Sequence, residues 1–212
     1  MSLIPHYDRL DHLAYVVPDL PTAIQAIEDA LGVSPQPGGR HPRRGTYNAL
    51  LRIGERCYLE LLAVDPATEV APPRWMGVDA VDRARLTRWA LRSDQLAVDA
   101  QRLATLQPAL GQIQAGHRRM ADGQELHWQL TIPRSHPAVE LLPFFIDWQQ
   151  SPHPSTSLPP ACQLERLDFF HPQSTHISKQ WHQLGLSTPV AAAERVRIRA
   201  TLRSSRGSLV LE

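Results

Sequence analysis

Leu10-Asp11-His12-Leu13-Ala14-Tyr15-Val16-Val17 is the stretch on which the fold turns. It is short, dense in branched and aromatic residues, and free of Gly and Pro, so it predicts a strand. Asp19 follows where a helix N-cap is wanted, and Pro21 suits a first helical turn. Ile24, Ile27 and Leu31 recur at helical spacing, and Gly32 stands where a left-handed cap ends such a helix. Beyond a stretch rich in Pro, Gly and Arg come two apolar runs, 46–53 and 57–64. Gly54-Glu55-Arg56 parts them and signals a hairpin. A further strand over 38–44 is weakly marked. The order is strand, helix, then two or three strands.

That order returns. Residues 86–92 read as a strand, Ser93 or Asp94 as a cap, and Leu96, Ala100, Leu103 and Leu106 as a helical stripe closed by Pro108 and Gly111. A strand over 113–120 and a turn at Ala121-Asp122-Gly123 follow. Over 125–132, Glu125, His127, Gln129 and Thr131 alternate with Leu126, Trp128, Leu130 and Ile132, a half-buried strand. Residues 139–148 supply the last strand of this unit. After a linker rich in Pro and Ser at 149–161 comes a shorter third unit. It has a strand over 164–170, a helix marked by Ile177, Trp181 and Leu184 and ended by Gly185, and strands over 195–202 and 208–212. The unit starts are alike: Leu10-Asp11-His12-Leu13, Leu86-Thr87-Arg88-Trp89 and Leu164-Glu165-Arg166-Leu167. The predicted fold is therefore α+β. Paired βαβββ modules at 1–80 and 81–150 form a curled mixed sheet cup, with a partial βαββ module at 162–212. Such a cup is the usual concave site for a small molecule.

Composition narrows the function classes. Among 212 residues, Lys+Arg is 22 and Asp+Glu is 21, a formal charge of +1 that lacks the basic excess of a nucleic-acid or membrane-surface binder. The apolar share of 42% supports a real core. Cys57 and Cys162 make no disulfide framework and no thiolate metal spacing, which fits a reducing cytoplasm. Residues 1–9 hold no apolar core of signal-peptide length, and the longest apolar run, 141–146, is far short of the ~20 residues of a membrane span.

Several runs resemble the glyoxalase-like domain proteins of bacteria, within the vicinal oxygen chelate superfamily of glyoxalases, bleomycin-resistance proteins and extradiol dioxygenases. They are Leu10-Asp11-His12-Leu13-Ala14-Tyr15, Gly45-Thr46-Tyr47-Asn48-Ala49-Leu50, and Cys57-Tyr58-Leu59-Glu60-Leu61-Leu62-Ala63-Val64-Asp65-Pro66. Trp89-Ala90-Leu91-Arg92 and Pro143-Phe144-Phe145-Ile146-Asp147-Trp148 extend the likeness into the second module. The resemblance implies lyase, isomerase or dioxygenase chemistry on a small molecule, or metal-free binding and sequestering of one. A homodimer is the candidate assembly, with no nucleic-acid or membrane partner. It also implies a divalent metal (Zn, Fe, Mn or Ni) held by His12 on the first strand and Glu60 on the last strand of module one. Module two departs from the pattern. Its first strand offers Thr87, Arg88 or Trp89, and its last offers Leu142, Pro143 or Glu140, so the ligand set is incomplete.

The same residues have plainer readings. His12 reads equally as a hydrogen-bonded histidine on a sheet face. Glu60, flanked by Tyr58, Leu59, Leu61 and Leu62, is costly to bury unpaired and needs a metal, an arginine or a substrate cation. Arg88 suits a clamp on a substrate carboxylate or phosphate, or an ion pair with an acid such as Glu60. His127 lies on a polar row with Glu125 and Gln129. If that row faces the cup, His127 joins Glu60 as an acid/base group; otherwise it is solvated. Tyr47 and Asn48 are candidates to orient substrate. His41-Pro42-Arg43-Arg44 reads as a solvated connector or as a lid over an anion. Phe144, Phe145 and Trp148 read as core. Three functions stay open: an enzyme of the glyoxalase type, a sequestering protein, or an interaction module with a degenerate cup.

Overall fold

The computed structural model of the chain describes residues 8–119 and 125–212. The turn expected at Ala121-Asp122-Gly123 lies outside the described residues, as do residues 1–7. The chain folds as β1 Leu10–Val16, α1 Leu20–Leu31, β2 Gln36–His41, β3 Thr46–Gly54 and β4 Cys57–Val64. Next come β5 Arg85–Arg92, α2 Leu96–Leu106, β6 Ile113–Arg119, β7 Glu125–Thr131 and β8 Phe144–Asp147. The last segment is β9 Gln163–His171, α3 Ser174–Gln183, β10 Val190–Ala192, β11 Arg197–Arg203 and β12 Ser208–Leu211.

The first eight strands make one curled sheet in the order β2-β3-β4-β1-β5-β8-β7-β6. Its two halves are wound alike. β1 lies parallel to β4, β5 lies parallel to β8, and the antiparallel pair of β1 and β5 joins them. A parallel pair needs a crossover, and α1 and α2 begin those crossovers on the same face of the sheet. Asp19 caps α1 through the Thr22 amide at 2.9 Å, and Gly32 closes it in the left-handed region at φ 68°. α2 starts later than expected, because the Ser93 hydroxyl donates to Asp99 in the first helical turn at 2.8 Å.

β8 is shorter than the apolar run predicts. Carbonyls at 134–141 serve side chains instead of a ladder: Arg134, His136 and Ala138 accept from Arg88, and Leu141 accepts from both Trp89 and Trp181. The last segment has its own four-stranded sheet, β10-β9-β11-β12, including a three-residue strand, β10, that no hydrophobic pattern announces. Its first strand pairs with its second, unlike β1 and β5, which pair with the last strand of their halves. This small sheet and the helices cover one face of the large sheet. Leu13, Leu59, Leu61, Trp89, Phe169 and Trp181 are buried there, and the Trp89, Phe169 and Trp181 rings lie 4.7–5.2 Å apart. No helix among the described residues is long and apolar enough to cross a membrane.

The opposite face carries a second, smaller apolar cluster: Ala14, Val16, Leu62, Ala90, Leu130, Phe144 and Ile146, with Met76 and Val78 from the β4–β5 connection. A strand alternates its faces, so residues one step out of phase with the main core must line the hollow.

Candidate functional site

His12, Tyr58, Glu60, Asn48 and Leu50 reach the hollow from the first half. Arg118, Trp128, Leu130, Phe144 and Ile146 reach it from the second half, and His41, Arg44, Trp75, Met76 and Trp148 lie around them. The volume of the hollow is about 60 Å³. A water needs about 10–15 Å³, so there is room for about four waters or one compact organic group.

One irregularity sets the chemistry. Adjacent strand residues point to opposite faces, yet the Asp11 carboxylate meets the ring of its neighbour: His12 Nδ1 stands 2.6 Å from Asp11 Oδ1. The pairing of β1 with β5 shifts between Leu10 and His12, leaving Asp11 as an extra residue in the ladder. Such a bulge re-aims a side chain. Asp11 is wholly buried and takes two further donors on Oδ2, Trp148 Nε1 at 2.9 Å and His153 Nε2 at 3.1 Å. Burial alone would raise its pKa. The hydrogen bonds and charges of His12 and His153 outweigh that and hold the carboxyl well below the usual range.

An ionised carboxylate can only accept, so His12 Nδ1 carries the proton it donates and Nε2 is the nitrogen turned away from Asp11. Nε2 stands 3.8 Å from Glu60 Oε2. The Tyr58 ring stacks on the imidazole at 4.7 Å and Phe144 meets its edge at 5.2 Å, so the ring is fixed on three sides. Glu60, 8% exposed, accepts from Asn48 Nδ2 on Oε1 at 2.5 Å, which leaves Oε2 toward the hollow. Asn48 Oδ1 is buried without a partner among the described residues. It lies beside Gly38, where a Cβ would stand 2.2 Å from it. Burial, then the charges of Asp11 and Glu60, push the Tyr58 phenol well above its ordinary pKa, so it stays a neutral hydroxyl.

Of the residues singled out in the sequence, His12, Glu60 and Asn48 come together here. Tyr47, Arg88 and His127 do not line the hollow. Tyr47 lies under the Arg40 guanidinium. Arg88 pairs with Glu140 at 3.1 Å and donates to the carbonyls of Thr87, Arg134, His136 and Ala138, so it binds one connection of the fold to β5. β7 turns its apolar row inward, with Trp128 and Leu130 on the hollow, and His127 is left at the surface, 3.5 Å from Glu125. Gly116 makes this fit: a Cβ there would stand 2.5 Å from the Trp128 indole.

Sequence reasoning passed over Asp11, Arg118, Trp75 and His153. Asp11 left a trace, a carboxylate beside a histidine inside an apolar strand. His153 left none, because it lies in the stretch read as a linker. There it accepts the Ser155 amide and Ser155 bonds the Glu55 carbonyl, which pins the stretch against the end of the hollow. His41 and Arg44, read first as a solvated connector, line the cavity.

A divalent metal finds few donors. His12 Nε2 and Glu60 Oε2 are the available pair, while the second half presents Phe144, Ile146, Leu130 and Ala90. Among the described residues no three His, Cys, Asp or Glu side chains stand together as an ion would need. Catalytic zinc sites use three protein ligands. The residues present therefore do not fit a resident divalent ion.

A curled mixed sheet of two like-wound halves around a cup is the architecture of the vicinal oxygen chelate superfamily. The chain belongs to the glyoxalase-like domain family, whose profile matches residues 10–185. Its structure is similar to that of a hypothetical protein from Staphylococcus aureus, with a TM-score of 0.62 at 16% identity over 96% of this chain and 85% of that one. It is also similar to methylmalonyl-CoA epimerase from Mycobacterium tuberculosis, with a TM-score of 0.42 at 18% identity over 74% of this chain and 95% of that one. For the Streptomyces coelicolor epimerase in complex with 2-nitronate-propionyl-CoA, the TM-score is 0.43 at 15% identity over 68% and 98%. No curated protein matches the sequence. These structural likenesses concern the fold.

Proposed function

We propose that the protein is a small-molecule enzyme of the glyoxalase-like group that moves a proton on a compact carbonyl substrate, with His12 and Glu60 as the transferring pair. The observation that carries this reading is the buried Asp11 carboxylate bonded to His12 Nδ1, with Nε2 turned toward Glu60. A carboxylate behind an imidazole sets its tautomer and steadies the imidazolium that forms when Nε2 takes a proton. Asn48 holds one Glu60 oxygen and leaves the other for work. The 3.8 Å between Nε2 and Oε2 is too long for a direct hydrogen bond and leaves both atoms free to reach a substrate placed beside them. His12 Nε2 or Glu60 Oε2 takes a proton from carbon, and the imidazolium or carboxylic acid so formed then delivers that proton to the neighbouring oxygen, returns it to carbon or exchanges it with solvent. Tyr58, stacked on the ring, and Phe144, in T-shaped contact with it, keep water off the imidazole, which strengthens its interactions. No step needs a metal.

The test is hydrogen exchange. A panel of compact carbonyl compounds, neutral and charged, is incubated with the protein in D2O and followed by NMR. The expected result is catalysed deuterium uptake at the carbon next to the carbonyl, lost in Glu60→Gln and His12→Gln with the fold intact. Uptake unchanged in both variants would overturn the assignment. The walls also favour a second reading, since Trp75, Trp128, Trp148, Phe144 and Tyr58 suit the sequestering of an apolar ring. Saturable binding of an aromatic compound, with no exchange on any member of the panel, would decide for it.

A further inference from the structure

The cavity holds a cationic side that the proton-transfer pair does not use. Arg118 lines it from β6, is only 8% exposed, and has no ion-pair or hydrogen-bond partner for its side chain among the described residues. Its Nε is buried outright. An unpartnered buried donor is rare and asks for an explanation. Arg44 lines the same cavity, with its guanidinium over the face of Trp75 and one nitrogen on the neutral amide of Gln114 at 2.6 Å. Neither arginine has a carboxylate partner among the described residues. The one acid lining the cavity, Glu60, is engaged by Asn48 and forms no ion pair with either. Their fields reach the neighbouring groups. His41 is held below its ordinary pKa by burial first, with the charges of Arg118 and Arg44 adding and Glu60 opposing. Burial pushes Arg44 down to about 9 against the pull of Glu60. Two cations and one anion line the cavity, and neither cation is paired with that anion; a planar guanidinium fork is matched by a planar carboxylate.

We infer that Arg118, assisted by Arg44, is the anchor for a carboxylate on the substrate, so that the site takes a compact monoanion of the oxo-acid class. The inference rests on the reading of this cavity as a substrate site. At about 60 Å³ the hollow admits a carboxylate with a short oxo chain. Arg118 and Arg44 then hold the charged end at the β2–β6 side while the carbonyl end lies beside His12 and Glu60. A carboxylate anchored at a distance from the reacting carbon supplies orientation without blocking the transferring pair.

The probe is pyruvate, with the neutral pyruvamide as its match in shape and inorganic phosphate as the competing anion. Binding is read by the fluorescence of Trp75, Trp128 and Trp148, which line the cavity. The expected result is saturable binding of pyruvate, with pyruvamide and phosphate each weaker by about tenfold or more. Arg118→Gln weakens pyruvate by about tenfold and leaves pyruvamide unchanged. Arg118→Lys recovers part of the loss. Arg44→Gln gives a smaller loss of the same selectivity. The selectivity of the unaltered protein stands even if a variant folds poorly. Equal binding of pyruvamide, tighter binding of phosphate, no binding of pyruvate, or indifference to both Arg118 variants overturns the inference. Glu60→Gln separates the two proposals. If pyruvate still binds that variant but the unaltered protein exchanges no deuterium, the proton-transfer reading fails and the anchor stands. If a neutral ketone is exchanged regardless of Arg118, the anchor fails and the proton-transfer reading stands.

Discussion

Replacing Asp11 by Asn tests the site at its root, because it changes one atom and leaves shape nearly constant. Three donors converge on this carboxylate: His12 Nδ1 at 2.6 Å, Trp148 Nε1 at 2.9 Å and His153 Nε2 at 3.1 Å. An amide has one oxygen and one NH2 group. The Trp148 indole nitrogen can only donate, so the amide oxygen must take the Oδ2 position that Trp148 and His153 share. The NH2 then faces His12 Nδ1, which must become an acceptor. The proton moves to Nε2, and the nitrogen that faced Glu60 as a base now faces it as a fixed donor. Each charge-assisted bond, worth about 1.5–3 kcal/mol, becomes a neutral bond of about 0.5–1.5 kcal/mol. Burying a neutral amide costs less than burying a carboxylate, which offsets part of this. A net loss of about 2 kcal/mol remains, or about 4–8 °C in Tm for a chain of this size. Proton-transfer activity falls far more, by about 10²–10⁴-fold, the usual worth of a positioned acid or base. Imidazole ¹⁵N NMR reads the tautomer, calorimetry reads the stability, and deuterium uptake reads the activity. A variant whose His12 keeps its proton on Nδ1, or which keeps full exchange activity after its tautomer flips, refutes the reasoning.

Other consequences can be measured separately. Gly38→Ala puts a Cβ 2.2 Å from Asn48 Oδ1 and 3.0 Å from Leu50 Cγ, so it should cost about 1–3 kcal/mol in denaturant unfolding and lower activity by dislodging Glu60. Unchanged activity would show that Asn48 does not position the acid. Arg88→Met removes the partner of Glu140 and the donor to four carbonyls, and should cost about 3–5 kcal/mol while leaving ligand affinity of the folded fraction unchanged. A loss of affinity without a loss of stability would make Arg88 part of the site. Acid should unfold the protein in part through Asp11. Its folded pKa is depressed, so its contribution is present above the unfolded value near 4 and is lost as pH falls through the folded value. Asp11→Asn should flatten that part of the stability profile below about pH 4, and an unaltered profile would argue against an ionised Asp11.

The element order was legible because each half repeats it with ordinary signals: Asp19 and Gly32 at the ends of α1, and period-two alternation over β7. Facing was harder. Alternation shows that Leu126, Trp128 and Leu130 share one side of β7 but not whether that side meets a helix or the hollow. The answer depends on Gly116 across the ladder, which gives the Trp128 indole its place. His12 and Glu60 were visible as polar groups inside apolar strands, whose burial demands a partner. Their partners were not visible. Asp11 should by phase face away from His12, and only the bulge brings it round. His153 comes from 142 residues further on, within a stretch whose Pro and Ser content reads as a spacer. Arg118 sits on an edge strand where a charged residue is expected and ordinarily means nothing.

The two halves of the sheet have the same winding, but their central strands carry opposite chemistry. At positions that face one another across the β1–β5 seam, the first half presents His12 and Glu60, and the second presents Ala90 and Phe144. A pair of ligand-bearing halves would enclose an ion between them. Here the apolar strands β5 and β8 serve instead as a wall against which the polar half works, and the T-shaped contact of Phe144 with His12 is that wall against the reacting ring. Removing water from one side of an imidazole strengthens its bond to Asp11 and sharpens its choice of tautomer. The asymmetry also predicts which repair fails: placing a histidine at Phe144 adds a third donor to the cavity but takes away the ring that fixes His12. Such a variant should bind Zn²⁺ more tightly and exchange protons more slowly than the natural sequence. Tighter zinc binding together with faster exchange would show that the wall is dispensable and that the site is a metal centre lacking a ligand.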